Sequence, residues 1–173
     1  MKNLIHVGSF EIKNQHGGML IVTDPMYKLG TWCSCVLNMC AGGTWNAFVL
    51  RGEERRVAML IAFHDSIDAE KHHSKWFSML KNVEIGVDSG SLFIGDLSYF
   101  AVKNEKLADP SIVETYTDLA PYAGIVENCG VMSRTGWGDG GYPIFIYERK
   151  GKFYRKWVYA VRIDFMEEAY ENV

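Results

Sequence analysis

The sequence predicts a mainly β protein, either an antiparallel β-sandwich or a partly open β-barrel with one to three short helices. Its apolar residues alternate in short runs, and Gly-bearing polar connections separate these runs as tight turns separate strands. The 173 residues, of which 48% are hydrophobic, suffice for one domain with a sizeable core. No internal repeat or linker composition divides the chain, so residues 1–173 are predicted to form a single domain.

Four pairs of strand-like runs predict hairpins. The runs HVGSFEIK and MLIVTD flank NQHGG, and TWNAFVLR and RRVAMLIAF flank GEE. VEIGVD and SLFIGD meet at Ser89 and Gly90, where glycine tolerates the positive φ of a tight turn. YPIFIYER and FYRKWVYAVRIDF, joined by KGK, complete the predicted set.

Helical signals are fewer. Asp109 is the predicted N-cap of a helix over about Ser111 to Leu119, with Pro110 at its first position. Asp96 is a second candidate N-cap, at the start of DLSYFAVK. The stretch IDAEKHHSKWFSMLKN is compatible with a helix or with a polar loop that leads into a strand.

Charge and composition restrict the classes of partner. A net charge of -3 and a pI near 5.9 lack the basic surface typical of nucleic-acid binding, so no nucleic-acid partner is expected. No stretch approaches the roughly 20 apolar residues of a membrane helix, and the first residues lack a signal-peptide core; the prediction is a cytoplasmic protein without membrane contact. The four cysteines are then expected to be reduced and buried, and they lack the second ligand pair of a zinc site.

The glycine-rich stretch SRTGWGDGGY, residues 133–142, contains the pattern G-x-G-x-x-G. That pattern binds phosphate when a helix follows it, whereas here the strand-like run YPIFIYER follows. An EF-hand calcium loop needs several oxygen ligands at alternate positions, and this loop has one acid, Asp139. The stretch is therefore interpreted as a turn that carries Asp139 between Trp137 and Tyr142.

Two other strand ends carry an aspartate beside a turn. Asp24 ends the second strand-like run in TDPMY, and Asp88 precedes the turn in GVDSGS. Because strand ends cluster at one end of a β scaffold, these loops are expected to form one site for a small polar ligand or a divalent cation. The candidate binding residues are Asp24, Tyr27, Asp88, Ser89, Trp137, Asp139 and Tyr142.

The motifs GSFEI…GGMLIVTDPMY, IGVDSGSLFIGD and TGWGDGGYPIFIY, in this order, resemble a family of small bacterial and phage proteins known as domain of unknown function 4241. The likeness spans Gly8 to about Phe165, with Met26 where the family commonly has Cys and Trp137 in place of the usual Tyr. The matching positions are Asp24, Pro25, Tyr27, Asp88, Ser89, Gly90, Asp139, Gly140 and Tyr142. No activity is assigned to the family, so the resemblance implies an architecture and candidate residues without a chemistry.

Three functions stay open at this stage. The first is a ligand-binding module, with aromatic rings of the loops stacking on a small polar ligand. The second is a hydrolase, in which two of Asp24, Asp88 and Asp139 act as general acid and base or hold a catalytic metal. The third is a protein-interaction domain in bacterial or phage–host conflict. Binding or interaction is favoured over catalysis, because the sequence shows no activating base and no complete metal shell.

Overall fold

A single sheet of eleven strands accounts for most of the computed structural model, which describes residues 4–13, 17–52, 54, 56–68, 80–150 and 155–166. The strands are β1 (Leu4–Ile12), β2 (Gly18–Thr23), β3 (Ser34–Cys40), β4 (Gly43–Arg51), β5 (Val57–His64), β6 (Leu80–Val87), β7 (Ser91–Asp96), β8 (Ala123–Val126), β9 (Gly130–Arg134), β10 (Gly140–Lys150) and β11 (Lys156–Asp164). Two helices, α1 (Leu97–Leu107) and α2 (Pro110–Thr117), lie between β7 and β8.

The sheet curls into a nearly closed barrel. Its strand order is β1-β4-β5-β11-β3-β2-β7-β9-β8, and β10 adds to β11 and carries β6. The two ends of this order approach each other: the side chain of Ile125 in β8 packs against Gly8 in β1, and the amide of Glu11 donates to the carbonyl of Asn128 over 2.9 Å. The mainly β prediction is confirmed, and the barrel-like architecture is the one observed.

Two predicted hairpins are confirmed and two are wrong. β4 pairs with β5 and β10 pairs with β11, both antiparallel, as the alternation around GEE and KGK predicted. β1, however, pairs with β4, while β2 pairs with β3 and β7. Likewise β6 pairs with β10, whereas β7 pairs with β2 and β9. Alternation identifies the buried face of a strand but not the neighbour that completes its ladder, which explains both errors.

The helix caps agree with their sequence signals. Asp96 precedes α1, and its Oδ1 accepts from the backbone N–H of Tyr99 over 3.1 Å. Asp109 caps α2 by accepting from the N–H of Ser111 over 2.9 Å. The second helix ends at Thr117, two residues before the predicted end. The prediction for IDAEKHHSKWFSMLKN falls largely on residues 69–79, which lie outside the described residues.

The barrel interior is a continuous apolar core, and a smaller apolar cluster lies under the helices. The main core includes the fully buried side chains of Phe10, Trp45 and Leu60. The smaller cluster joins Phe93 of β7 to Phe100 of α1, whose ring centroids are 5.3 Å apart. Neither described helix has the length and apolar composition needed to cross a lipid bilayer.

The four cysteines are free thiols. Cys33, Cys40 and Cys129 are buried, and Cys35 is half-buried. Burial raises the pKa of the Cys40 thiol to about 12, because the interior disfavours a thiolate. At neutral pH the Cys40 side chain is therefore a small apolar group of the core.

Candidate functional site

The carboxylate of Asp24 joins two of the predicted loops. It is completely buried, and its Oδ2 accepts from the backbone N–H groups of Asp88 and Ser89, each over 2.8 Å. Its Oδ1 accepts from the Ser89 hydroxyl over 2.7 Å and from the Met26 N–H over 3.0 Å. We call this arrangement the Asp24 clamp. It fixes the segment after β2 to the segment after β6.

Local sequence explains why Asp24 can reach these groups. Asp24 to Tyr27 form a β-turn in which the Tyr27 N–H donates to the Asp24 carbonyl over 3.2 Å. Pro25 occupies the second turn position, where its fixed φ is favourable, and aspartate is preferred at the first position. The amide of Asp24 donates to the carbonyl of Cys33 over 3.0 Å. These bonds hold the carboxylate toward β6.

Tyr27 connects the clamp to an exposed carboxylate. Its hydroxyl donates to Oδ2 of Asp88. This hydrogen bond, followed by desolvation and the negative charge of Asp88, raises the pKa of Tyr27 to about 12. The phenol therefore stays protonated throughout the neutral range, and it orients the Asp88 carboxylate as a donor to that group.

The third predicted loop adjoins the second. β10 pairs with β6 so that Gly140 faces Val87, and Asp139 and Asp88 are the next residues beyond this last pair. The two aspartates therefore lie at the same end of the β6–β10 ladder. Both are exposed, whereas Asp24 is buried.

Backbone contacts fix the approach of the two loops. The N–H of Thr135 donates to the carbonyl of Gly90 over 3.0 Å. Gly90 and Gly138 have φ values of +68° and +85°, which favour glycine, and a Cβ on Gly90 would lie 3.6 Å from Cα of Gly138. The structure thus brings all three predicted loops to one end of the barrel.

Trp137 and Tyr142, like Asp139, lie apart from the clamp. Tyr142 is buried, and its hydroxyl donates to the Gly138 carbonyl over 2.8 Å, so it supports the loop from within. Burial raises the pKa of this phenol. Trp137 is 59% exposed, and its ring contacts the Arg56 guanidinium, with Cζ 4.7 Å from the ring centroid. Its contact is therefore with the β4–β5 connection.

The sequence prediction omitted Trp32, an exposed indole beside Tyr27. The Trp32 side chain is 65% exposed, and its ring centroid lies 6.5 Å from that of Tyr27 in an edge arrangement. The indole covers Gly86, where an added Cβ would come within 1.9 Å of the ring. No motif marks Trp32, and the available signal is a tryptophan just after the turn residues Gly30 and Thr31.

Trp32, Tyr27 and Asp88 form a continuous surface, which we call the Trp32–Tyr27–Asp88 row. The Trp32 indole covers Gly86 and neighbours the Tyr27 ring, whose hydroxyl donates to the Asp88 carboxylate, so the three side chains follow one another along the surface. The row combines an exposed apolar ring, a phenol and an oriented carboxylate. Within the described residues, no group of three or more His, Cys, Asp or Glu side chains is arranged to hold a metal ion.

Comparison with known proteins adds no relative. The chain matches no family model, no curated protein and no solved structure. The resemblance to domain of unknown function 4241 therefore stays a prediction, and the chemistry of the site has to be argued from its own residues.

Proposed function

We propose that this protein is a binding module for a small polar ligand that donates hydrogen bonds, held at the Trp32–Tyr27–Asp88 row. The observation that carries the proposal is that the exposed indole of Trp32 and the exposed carboxylate of Asp88 both contact the Tyr27 side chain. Asp139, at the same end of the β6–β10 ladder as Asp88, supplies a second exposed carboxylate.

The chemistry of the row defines the class of ligand. Ionised carboxylates only accept hydrogen bonds, so the ligand must present hydroxyl or ammonium donors. An aromatic face stacks on the apolar face of a sugar ring or attracts a cationic group. A polyol or an organic ammonium compound satisfies both conditions. A divalent cation is the other ligand that two neighbouring carboxylates suit.

The loops favour binding over hydrolysis because Asp24 is already engaged. Its two oxygens accept four hydrogen bonds from Met26, Asp88 and Ser89, so it has no free lone pair directed at solvent for proton transfer. Removing Asp24 from the predicted set leaves Asp88 and Asp139 as the accessible acids.

Thermal unfolding with a ligand panel tests the proposal. The panel contains neutral monosaccharides and disaccharides, linear polyamines, and Mg²⁺ or Ca²⁺ alone. A ligand at 100 times its Kd stabilises the folded state by about 2.7 kcal/mol, which corresponds to about 5 to 11 °C in Tm for a domain of this size. We expect Asp88→Asn and Trp32→Ala to remove the shift.

Asp65→Asn is the matched control, since Asp65 is another half-exposed aspartate at a strand end, 3.2 Å from Nδ1 of His64. It is expected to keep the full ligand-induced shift. A panel without any stabilising ligand, or a shift that survives in Asp88→Asn, would contradict the proposal. A shift produced by the metal ions alone and lost in Asp88→Asn would assign the row to a cation.

A further inference from the structure

A cleft lies on the other side of the glycine-rich loop from the Trp32–Tyr27–Asp88 row. It has a volume of about 190 Å³ and lies between the β4–β5 connection and the end of β9. Its polar walls are formed by Glu54, Arg56, Tyr122, Arg134 and Thr135, with Gly136 alongside. None of these residues belongs to the Asp24 clamp or to the Trp32–Tyr27–Asp88 row.

The two arginines of the cleft are held by exchangeable partners. Arg56 pairs with Glu54, with Nη2 and Oε2 3.0 Å apart, and Arg134 pairs with Asp118. The side chains of Arg56 and Arg134 are 40% and 41% exposed. Ion pairs this exposed contribute little to stability. Either guanidinium can therefore change from its carboxylate to a ligand oxyanion with little loss of folding free energy.

The local charge favours an anion although the whole chain is acidic. Among the described residues that line the cleft, Arg56 and Arg134 are cationic and Glu54 is anionic, in a chain with a net charge of -3. A concave surface with an excess of one sign concentrates ions of the opposite sign.

The walls position the guanidinium of Arg56 at the cleft. Its Nη1 donates to the carbonyl of Gly136 over 3.4 Å, and its other face contacts the Trp137 ring. An added Cβ on Gly136 would come within 2.6 Å of the Val57 carbonyl, so this loop lies directly on β5. These contacts hold the Arg56 guanidinium at the edge of the cleft, which lowers the entropy lost when a ligand binds there.

We propose that this cleft binds the phosphate or carboxylate group of a small anionic molecule, with Arg56 and Arg134 as its two donors. Planar guanidinium groups match the paired oxygens of both anions through charge-assisted hydrogen bonds. The site is independent of the proposed function, because it uses a different set of side chains. Each can fail while the other stands.

Titration with inorganic phosphate, and separately with acetate, at constant ionic strength tests the proposal. Calorimetry measures affinity, and tryptophan emission reports Arg56, since its guanidinium contacts the Trp137 ring. Loss of a hydrogen bond to a charged group weakens binding at least about tenfold, so we expect that loss in Arg134→Gln. In Glu54→Gln the competing carboxylate is gone, and we expect binding about two- to fivefold tighter.

Arg149→Gln is the matched control. Arg149 lies over the rings of Tyr147 and Tyr159, with its Cζ 5.6 and 5.4 Å from their centroids, outside the cleft. Its substitution should leave anion affinity unchanged. Saturable binding of phosphate alone assigns a tetrahedral anion, and binding of both probes assigns oxyanions in general. Absence of saturable binding by either probe overturns the proposal.

Glu54→Gln keeps the test decisive if Arg134→Gln unfolds. The Glu54 side chain is 73% exposed, so its substitution leaves the fold intact. An affinity that is equal or weaker in this variant contradicts the proposed competition between Glu54 and the ligand.

Discussion

Replacing Asp24 with asparagine tests whether the clamp stabilises the fold. The substitution keeps the shape of the side chain and removes its charge and one acceptor oxygen. In the more favourable amide orientation, the remaining oxygen accepts from the N–H groups of Asp88 and Ser89, and the new NH₂ group faces the Met26 N–H. The Ser89 hydroxyl can rotate and accept from that NH₂ group.

The expected loss follows from these four contacts. Hydrogen bonds to a charged group contribute about 1.5–3 kcal/mol each, against about 0.5–1.5 kcal/mol for neutral pairs. Two bonds are weakened and the one to Met26 is lost, but Met26 is exposed and water can satisfy its N–H. We expect Asp24→Asn to lower the free energy of unfolding by about 2–4 kcal/mol, or Tm by about 4 to 16 °C.

Urea unfolding followed by circular dichroism measures this loss at neutral pH. Asp139→Asn is the control, since Asp139 is an exposed aspartate at the same end of the barrel and should change stability by less than about 0.5 kcal/mol. A loss below about 1 kcal/mol in Asp24→Asn would show that the clamp does not stabilise the fold.

Three further substitutions probe other contacts. An unfolded tyrosine ionises near pH 10, whereas the folded Tyr27 phenol keeps its proton up to about pH 12. The free energy of unfolding should therefore fall as the pH rises from about 10 through about 12. In Tyr27→Phe, melting measured against pH should lack the part of this fall that comes from Tyr27. Gly86→Ala should displace the Trp32 ring and change tryptophan emission. Because the ring is exposed and can move, the free energy of unfolding should fall by less than about 2 kcal/mol. An unchanged emission spectrum would contradict the packing of the Trp32 ring on Gly86. Arg162→Met removes the guanidinium whose Nε and Nη2 lie 3.0 and 3.1 Å from the two oxygens of buried Asp164. Urea unfolding should show a free energy of unfolding that is lower by about 3–5 kcal/mol, because the Asp164 carboxylate loses its partner. The double variant Arg162→Met with Asp164→Leu should recover most of that loss.

The strands could be predicted from the sequence because a half-buried strand leaves its period in the order of residues. The run TWNAFVLR alternates, and β4 has Trp45, Ala47 and Val49 buried toward the core. The choice of partner strand leaves no comparable pattern in the local sequence. β6 and β7 are joined by Asp88, Ser89 and Gly90, a turn that looks like a hairpin, yet the chain there leaves one ladder and enters another. Nothing within those few residues specifies the partners, which come from β10 and β2.

The site was predictable to the level of loops. Aspartates at strand ends indicated which segments meet, since turns cluster at the ends of a barrel. The direction of each side chain was beyond the sequence. Asp24 is directed into the protein because backbone donors 64 and 65 residues further along the chain satisfy its oxygens. The Trp137 ring contacts the Arg56 guanidinium. The Trp32 ring can pack beside Tyr27 only because Gly86, which lies on β6, has no side chain in its place.

The position of β11 bears on how the chain is made. β11 is the last described strand along the sequence, yet it pairs with β5 on one side and β10 on the other. β11 is therefore synthesised after the strands on both of its sides. Until β11 is present, β5 and β10 each expose an unpaired edge that can pair with another chain. Because β11 completes both ladders, we expect the nascent polypeptide to be prone to edge-to-edge aggregation until β11 has been synthesised.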